Sequence, residues 1–160
     1  MIIKTKLSEK DFIDASLATI WARKYSKVFL IVFLLIIASN IFNSTFTKNS
    51  VIPFILPPLL IFGGLFLAIR YGFKKAYQKN YRSSENIEYN FTDNYLQITG
   101  ESFTSEMSWN KIYKVTKTKN WLLVWQSSQS ANVIPLRLMS SEDLQHLKDI
   151  MQKNHAKHNL

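Results

Sequence analysis

The chain has no cysteine among its 160 residues. Disulfides, thiolate nucleophiles and cysteine-ligated zinc or iron–sulfur centres are therefore excluded, and the fold rests on packing alone. Glycine is scarce: of four, Gly63 and Gly64 sit in an apolar run, which leaves no glycine-rich loop to cradle a phosphate. Histidine is confined to the end of the chain, at His146, His155 and His158. His155 and His158 have helical ligand spacing but no carboxylate beside them, so no metal and no other cofactor is expected. Asp93 suits a turn, Glu142 and Asp143 suit the start of a helix, and no paired carboxylates or Ser/His/Asp arrangement stands out. An enzyme is not expected.

Charge is also missing over a long stretch. From residue 28 to residue 69 the only charged side chain is Lys48, although 19% of the whole chain is charged. The stretches 28–47 and 49–69 each reach the roughly 20 residues that cross a bilayer, so a two-helix transmembrane hairpin is expected. Mostly polar residues precede the first apolar stretch, unlike a cleavable signal peptide, and the segment is expected to be retained. The formal charge of +9 is concentrated at the ends of these stretches: Arg23, Lys24 and Lys27 before the first, and Arg70, Lys74, Lys75, Lys79 and Arg82 after the second. These are the candidate lipid-facing basic residues. By the positive-inside rule they place both termini in the cytoplasm and the crest at 43–50 outside, as in a multi-pass protein of the cell membrane.

Residues 7–27 read as an amphipathic helix, with Ser8 as N-cap, Asp11 at the third helical position, and Phe12, Ala15, Leu17, Ile20 and Trp21 recurring at near-helical spacing. Two placements are open: on the membrane surface with Trp21 and Tyr25 at headgroup depth, or docked on the soluble domain. Asn40 is the costly residue of the first span, suited to a snorkelling or interhelical hydrogen bond. In the second, Pro53, Pro57 and Pro58 predict a bend, and Gly63 and Gly64 predict close approach of a partner helix, within the hairpin or in a dimer of hairpins. After Tyr81 the pattern turns to short alternating segments, predicting strands at 86–91, 95–99, 102–108, 112–118, 121–126 and 132–136. A helix begins at Ser140 or Ser141, with Leu144, Leu147, Ile150 and Met151 on one face. Trp109, Ile112, Trp121 and Pro135 are the expected fold anchors, Pro135 because it lacks a ladder donor at the end of an edge strand. Trp121 and Trp125, four apart on one strand, share a face.

Several segments carry a family resemblance: Leu7-Ser8-Glu9-Lys10-Asp11-Phe12, Tyr89-Asn90-Phe91-Thr92-Asp93-Asn94-Tyr95-Leu96, Met107-Ser108-Trp109-Asn110-Lys111-Ile112-Tyr113-Lys114-Val115, and Val133-Ile134-Pro135-Leu136-Arg137 followed by Ser140-Ser141-Glu142-Asp143-Leu144. Over nearly its full length the chain resembles the bacterial YcxB-like membrane proteins. Leu136 departs from the Pro-Lys-Arg-like tripeptide usual there. The resemblance implies a two-span hairpin followed by a small PH-like domain and carries no settled activity. The expected class is thus α+β: an N-terminal amphipathic segment (1–27), a transmembrane α-hairpin (28–71), a basic juxtamembrane linker (72–84), an antiparallel PH-like β-domain with a C-terminal capping helix (85–154), and a tail (155–160).

Three functions fit this plan. The first is a membrane-tethered interaction module that binds a protein partner at the cytoplasmic leaflet. The second is recognition of anionic lipid headgroups by the 70–82 basic stripe with Lys111, Lys114, Lys117 and Lys119. The third is a small transporter or channel subunit, which requires a homo-oligomer because one hairpin encloses no pathway. Nucleic acid is not an expected partner, since the basic residues hug the bilayer and the strands lack the aromatic and basic alternation of an RNA-reading sheet.

Overall fold

The computed structural model describes residues 1–47 and 52–160; of the crest expected at 43–50, residues 43–47 are helical and Lys48, Asn49 and Ser50 lie outside the described residues. The chain begins with a short strand, β1 (Ile2–Thr5), and a helix, α1 (Glu9–Trp21). Two long helices follow, α2 (Lys24–Thr47) and α3 (Ile52–Lys79). Six strands come next: β2 (Ile87–Phe91), β3 (Tyr95–Thr99), β4 (Thr104–Ser108), β5 (Lys114–Lys117), β6 (Trp121–Trp125) and β7 (Ala131–Pro135). Helix α4 (Ser141–Lys153) and a two-residue strand, β8 (His158–Asn159), end the chain.

The segments Lys24–Asn43 and Ile55–Lys79 are long and apolar enough to cross a membrane, and neither window is buried inside the protein. Apolar surface of this extent is stable in hydrocarbon rather than in water, and the chain is accordingly membrane-associated. The two helices meet through stacked rings of Phe33 and Phe62, with centroids 4.8 Å apart. Within the hairpin, Gly63 and Gly64 do not serve that contact: a Cβ at either position would meet nothing within 4 Å. Asn40 satisfies its amide locally, donating to the Ile36 carbonyl at 2.8 Å.

The interval 72–84 is not a linker. Helix α3 runs through Pro57 and Pro58 and on to Lys79, and Tyr81–Ser84 form one further 3-10 turn capped by Asn80. Nothing between Gly72 and Lys79 breaks a helix, and lysines near its C-terminus suit the helix dipole. At 28 residues, α3 is about 42 Å long, against about 30 Å of hydrocarbon, so its last turns emerge from the apolar layer.

The strands form two sheets, ordered β1-β2-β3-β4 and β7-β6-β5-β8. Pairing is antiparallel except for the short parallel β5–β8 bridge. Both sheets extend beyond the expected interval 85–154. Ile3 pairs with Tyr89, which makes the hairpin an insertion between two neighbouring strands, and His158 pairs with Val115, which draws the expected tail into the second sheet. Leu96, Ile98, Val115, Leu122, Val124 and Ile134 face the interior between the sheets, where Leu147, Ile150 and Met151 of α4 close the open end. Ser140 and Asp143 form the capping box that starts α4.

Strand β6 is buried at all five positions, so both of its faces are covered. Leu122 and Val124 point to the interior. Trp121, Leu123 and Trp125 point the other way, against Ala15, Ala18 and Ala22 of the first helix and its cap. The small alanines let α1 approach the tryptophan rings closely. The placement of the N-terminal helix is thereby decided: it docks on the β-domain. Its opposite side meets α3, where the Phe12 and Tyr77 rings lie 5.5 Å apart and the Tyr77 hydroxyl donates to the Leu7 carbonyl.

His155 makes the last turn possible. It sits at φ 51°, just past the end of α4, while Ala156 donates to the Met151 carbonyl, and this reversal aims the chain back at β5. His155→Val should lower stability by about 1 kcal/mol relative to His155→Gly, because a β-branched side chain resists the left-handed region. Thermal unfolding of the two full-length variants in detergent checks this; equal midpoints would show that the turn is not maintained.

Candidate functional site

Two of the family-like segments, distant in sequence, meet in space. Asp11 of α1 closes a capping box with Ser8 and also accepts two hydrogen bonds from Arg137, Nη1 to Oδ1 at 2.9 Å and Nη2 to Oδ2 at 2.8 Å. The guanidinium holds the Asp11 carboxyl down at about 2, well below the usual carboxylate range. Arg137 follows Pro135, so this bidentate pair fastens the start of α1 to the end of β7. Arg23 fastens the other end: its Nη2 donates to the Gln129 carbonyl in the β6–β7 turn, while its Nε is buried without a partner.

Held at both ends, α1 covers the outer side of β6 and β7 and leaves β5 open beside it. The opening is a cleft of about 520 Å³, walled by Ala18, Trp21 and Ala22 on one side and by β5 and β8 on the other, with Lys27 of α2 at its margin. Four lysines line it, Lys27, Lys114, Lys117 and Lys157, together with His158; no aspartate or glutamate does. Lys114 is steered by the Trp125 ring, with Nζ 4.9 Å from the centroid. Among the described residues none of the four lysines forms an ion pair. The His158 Nδ1 is buried with no hydrogen-bond partner. Lys27 lies in the first turn of α2, the positive end of its dipole, where a cation opposes rather than complements the helix. Such a concentration of uncompensated positive charge attracts an anion.

The basic residues singled out from the sequence separate into different environments. Lys27 joins the cleft and Arg23 is absorbed into the clamp. Lys74 pairs with Glu9 at 3.6 Å, Arg70 lies over the Phe66 ring, and Arg82 lies over the rings of Tyr81 and Phe103. Lys24, Lys75 and Lys79 are exposed. Of the lysines grouped with the basic stripe, Lys114 and Lys117 are part of the cleft lining, Lys117 lining also a second opening beside α4, whereas Lys111 and Lys119 are outside the cleft lining. Trp109 is wholly buried, its Nε1 donating to the Thr92 carbonyl at 2.8 Å and its ring stacked on Phe91. Ile112, Trp121 and Pro135 are buried as well.

Lys157 is not singled out by the sequence, and His158 is weighed there only as a metal ligand with His155, because their short polar segment carries no periodic signal that would join it to a strand. What brings them in is the hydrogen bond from Val115 N to the Lys157 carbonyl, a contact 42 positions apart in the chain.

Comparison with known proteins bears on the segment that holds most of this framework. Residues 91–151 match the family model of YcxB-like proteins. No curated protein and no solved structure gives a match to the chain. The YcxB-like segment runs from the end of β2 into the last part of α4 and contains Trp109, Lys114, Lys117, Pro135 and Arg137. The family resemblance read from the sequence thus holds over that segment. The cleft is only partly built from it: its α1 and α2 wall precedes the YcxB-like segment and its β8 wall follows it.

The clamp predicts a pH dependence. A carboxyl depressed from 3.8 to about 2 contributes stability that is complete above its unfolded value and is lost as the pH falls through its folded value. Between about pH 4 and pH 2 the wild type should therefore lose stability more steeply than Asp11→Asn. Denaturation midpoints across that range test it, and parallel curves would mean that the pair does not form in solution.

Proposed function

We propose that this chain is a non-enzymatic, membrane-anchored module whose β-domain engages an anionic lipid headgroup at the cytoplasmic leaflet. The observation that carries the reading is the cleft lined by Lys27, Lys114, Lys117 and Lys157 with no acidic residue, opening next to the root of the helix pair. Because β1 and β2 are neighbours, both ends of the hairpin return to the same sheet, which suits a domain seated against one leaflet. The surplus of lysine and arginine around the roots favours the cytoplasmic side for that domain and for both termini. In this reading the two strand layers with their closing helix act as a PH-like unit, and the hairpin serves as its tether.

A protein partner, the leading expectation from the sequence, has less to rest on. Large apolar side chains exposed on the β-domain include Ile2, Tyr81, Tyr113 and Leu138, and none of these four lines the lysine cleft. A transport role would require several hairpins to enclose a pathway, and no feature of the site calls for it.

Each cationic side chain near an anionic surface contributes roughly 1 kcal/mol, so loss of the cleft charge should be visible as lost lipid selection. Full-length protein purified from mixed phosphatidylglycerol and phosphatidylcholine should retain the anionic lipid preferentially. Replacing Lys27, Lys114, Lys117 and Lys157 together by Gln should lower that preference at least about tenfold, whereas Lys75→Gln with Lys79→Gln should leave it nearly unchanged. Equal selection by the wild type and the cleft variant would overturn the proposal.

A further inference from the structure

On the other side of Trp21 lies a second cavity of a different character. It is a pocket of about 100 Å³ where α1, α2 and α3 converge, lined by apolar side chains that include Leu17, Ile20, Phe29, Phe62, Leu65 and Phe66. Trp21 lines both this pocket and the lysine cleft. The two differ in the way that the parts of a phospholipid differ. Lys27 of the cleft lies two residues from Phe29 of the pocket, and on α3 the pocket ends at Ile69, next to Arg70. The residue of α2 at the cleft and the residue of α2 at the pocket are thus within one turn of each other, and Arg70 lies over the ring of the pocket's Phe66. An indole at that boundary, with an apolar body and a polar N–H, suits the depth of the glycerol backbone.

We infer that the cleft and the pocket together form one seat for a whole anionic phospholipid, with its phosphate on the lysines and the first carbons of an acyl chain between α1 and the helix pair. This rests on the headgroup reading above and specifies the ligand. The occupant follows from Trp21 lining both cavities, one cationic and one apolar: a soluble phosphate compound fills only the cleft, and an uncharged lipid leaves the four lysines uncompensated. The pocket has room for only a few methylenes, so the remainder of the chain lies along the outer surface of α2 and α3, which the protein leaves uncovered. Selectivity then comes from two separate contacts, charge at the phosphate and shape at the acyl root.

The test uses the full-length protein in mild detergent, with phosphatidylglycerol, phosphatidylcholine and glycerol 3-phosphate as probes and native mass spectrometry as the readout. Phosphatidylglycerol should bind one per chain, and millimolar glycerol 3-phosphate should not displace it. Filling the pocket by Ile20→Trp, or independently by Leu65→Trp on the outer helix, should lower phosphatidylglycerol retention at least about fivefold, with thermal unfolding showing that each variant is folded. If glycerol 3-phosphate competes fully and neither filled variant changes retention, the acyl seat is overturned and the headgroup reading stands. If the filled variants lose phosphatidylglycerol and phosphatidylcholine alike, and the wild type does not prefer the anionic lipid, the headgroup reading fails while the acyl seat remains. Absence of bound lipid in the wild type overturns both.

Discussion

The outer face of β6 presents Trp121, Leu123 and Trp125, an apolar surface that cannot be left in water, and the arrangement of the molecule follows from how it is covered. Helix α1 covers it, and the alanines at 15, 18 and 22 give the tryptophan rings room to pack. The same helix is gripped from its other side by Phe12 against Tyr77 and by the Tyr77 hydroxyl on the Leu7 carbonyl. One helix therefore joins the apolar pair to the sheets.

Covering β6 also determines where the surface stays open. An α-helix with its side chains is about 10 Å wide, too narrow to cover every strand of a sheet spaced near 4.8 Å, so the strand beside it is left exposed along one face. Here that strand is β5, with Lys114 and Thr116 on the open side, and the C-terminal strand brings Lys157 alongside. The fold thus gathers cations from the first turn of α2, from β5 and from the end of the chain. Like charges gathered in this way raise the local positive potential. Clamps at the two ends of α1, Asp11 with Arg137 and Arg23 with the Gln129 carbonyl, hold the cleft wall in position.

Much of the architecture was legible from local pattern. Six strands and the closing helix lie within a few residues of where alternation and capping placed them, since period, turn residues and N-caps act over short stretches. The two short outer strands were not. Ile2–Thr5 pairs with residues more than 80 positions away, and His158–Asn159 is only two residues long; neither has a neighbouring turn to announce it. The role of α1 was open for a similar reason, because an amphipathic helix shows that it needs an apolar partner without showing which one. The glycines of α3 left the contact open because small size permits close approach but does not say from which side, and within the hairpin Phe33 meets Phe62.

The sequence by itself determined that two uncharged stretches are long enough to cross hydrocarbon, that a strand-rich segment with a capped helix follows, and that cysteine chemistry is excluded. Each of these depends on composition or on a short period. The tertiary structure alone decided which lysines stand together. Lys27, Lys114, Lys117 and Lys157 are scattered through the chain among other lysines, and the basic stripe at 70–82 is partly occupied, Lys74 by Glu9 and Arg82 by aromatic rings. A cleft is a relation between surfaces from distant parts of the chain, and charge density along the sequence carries no record of it until the sheets close and α1 docks.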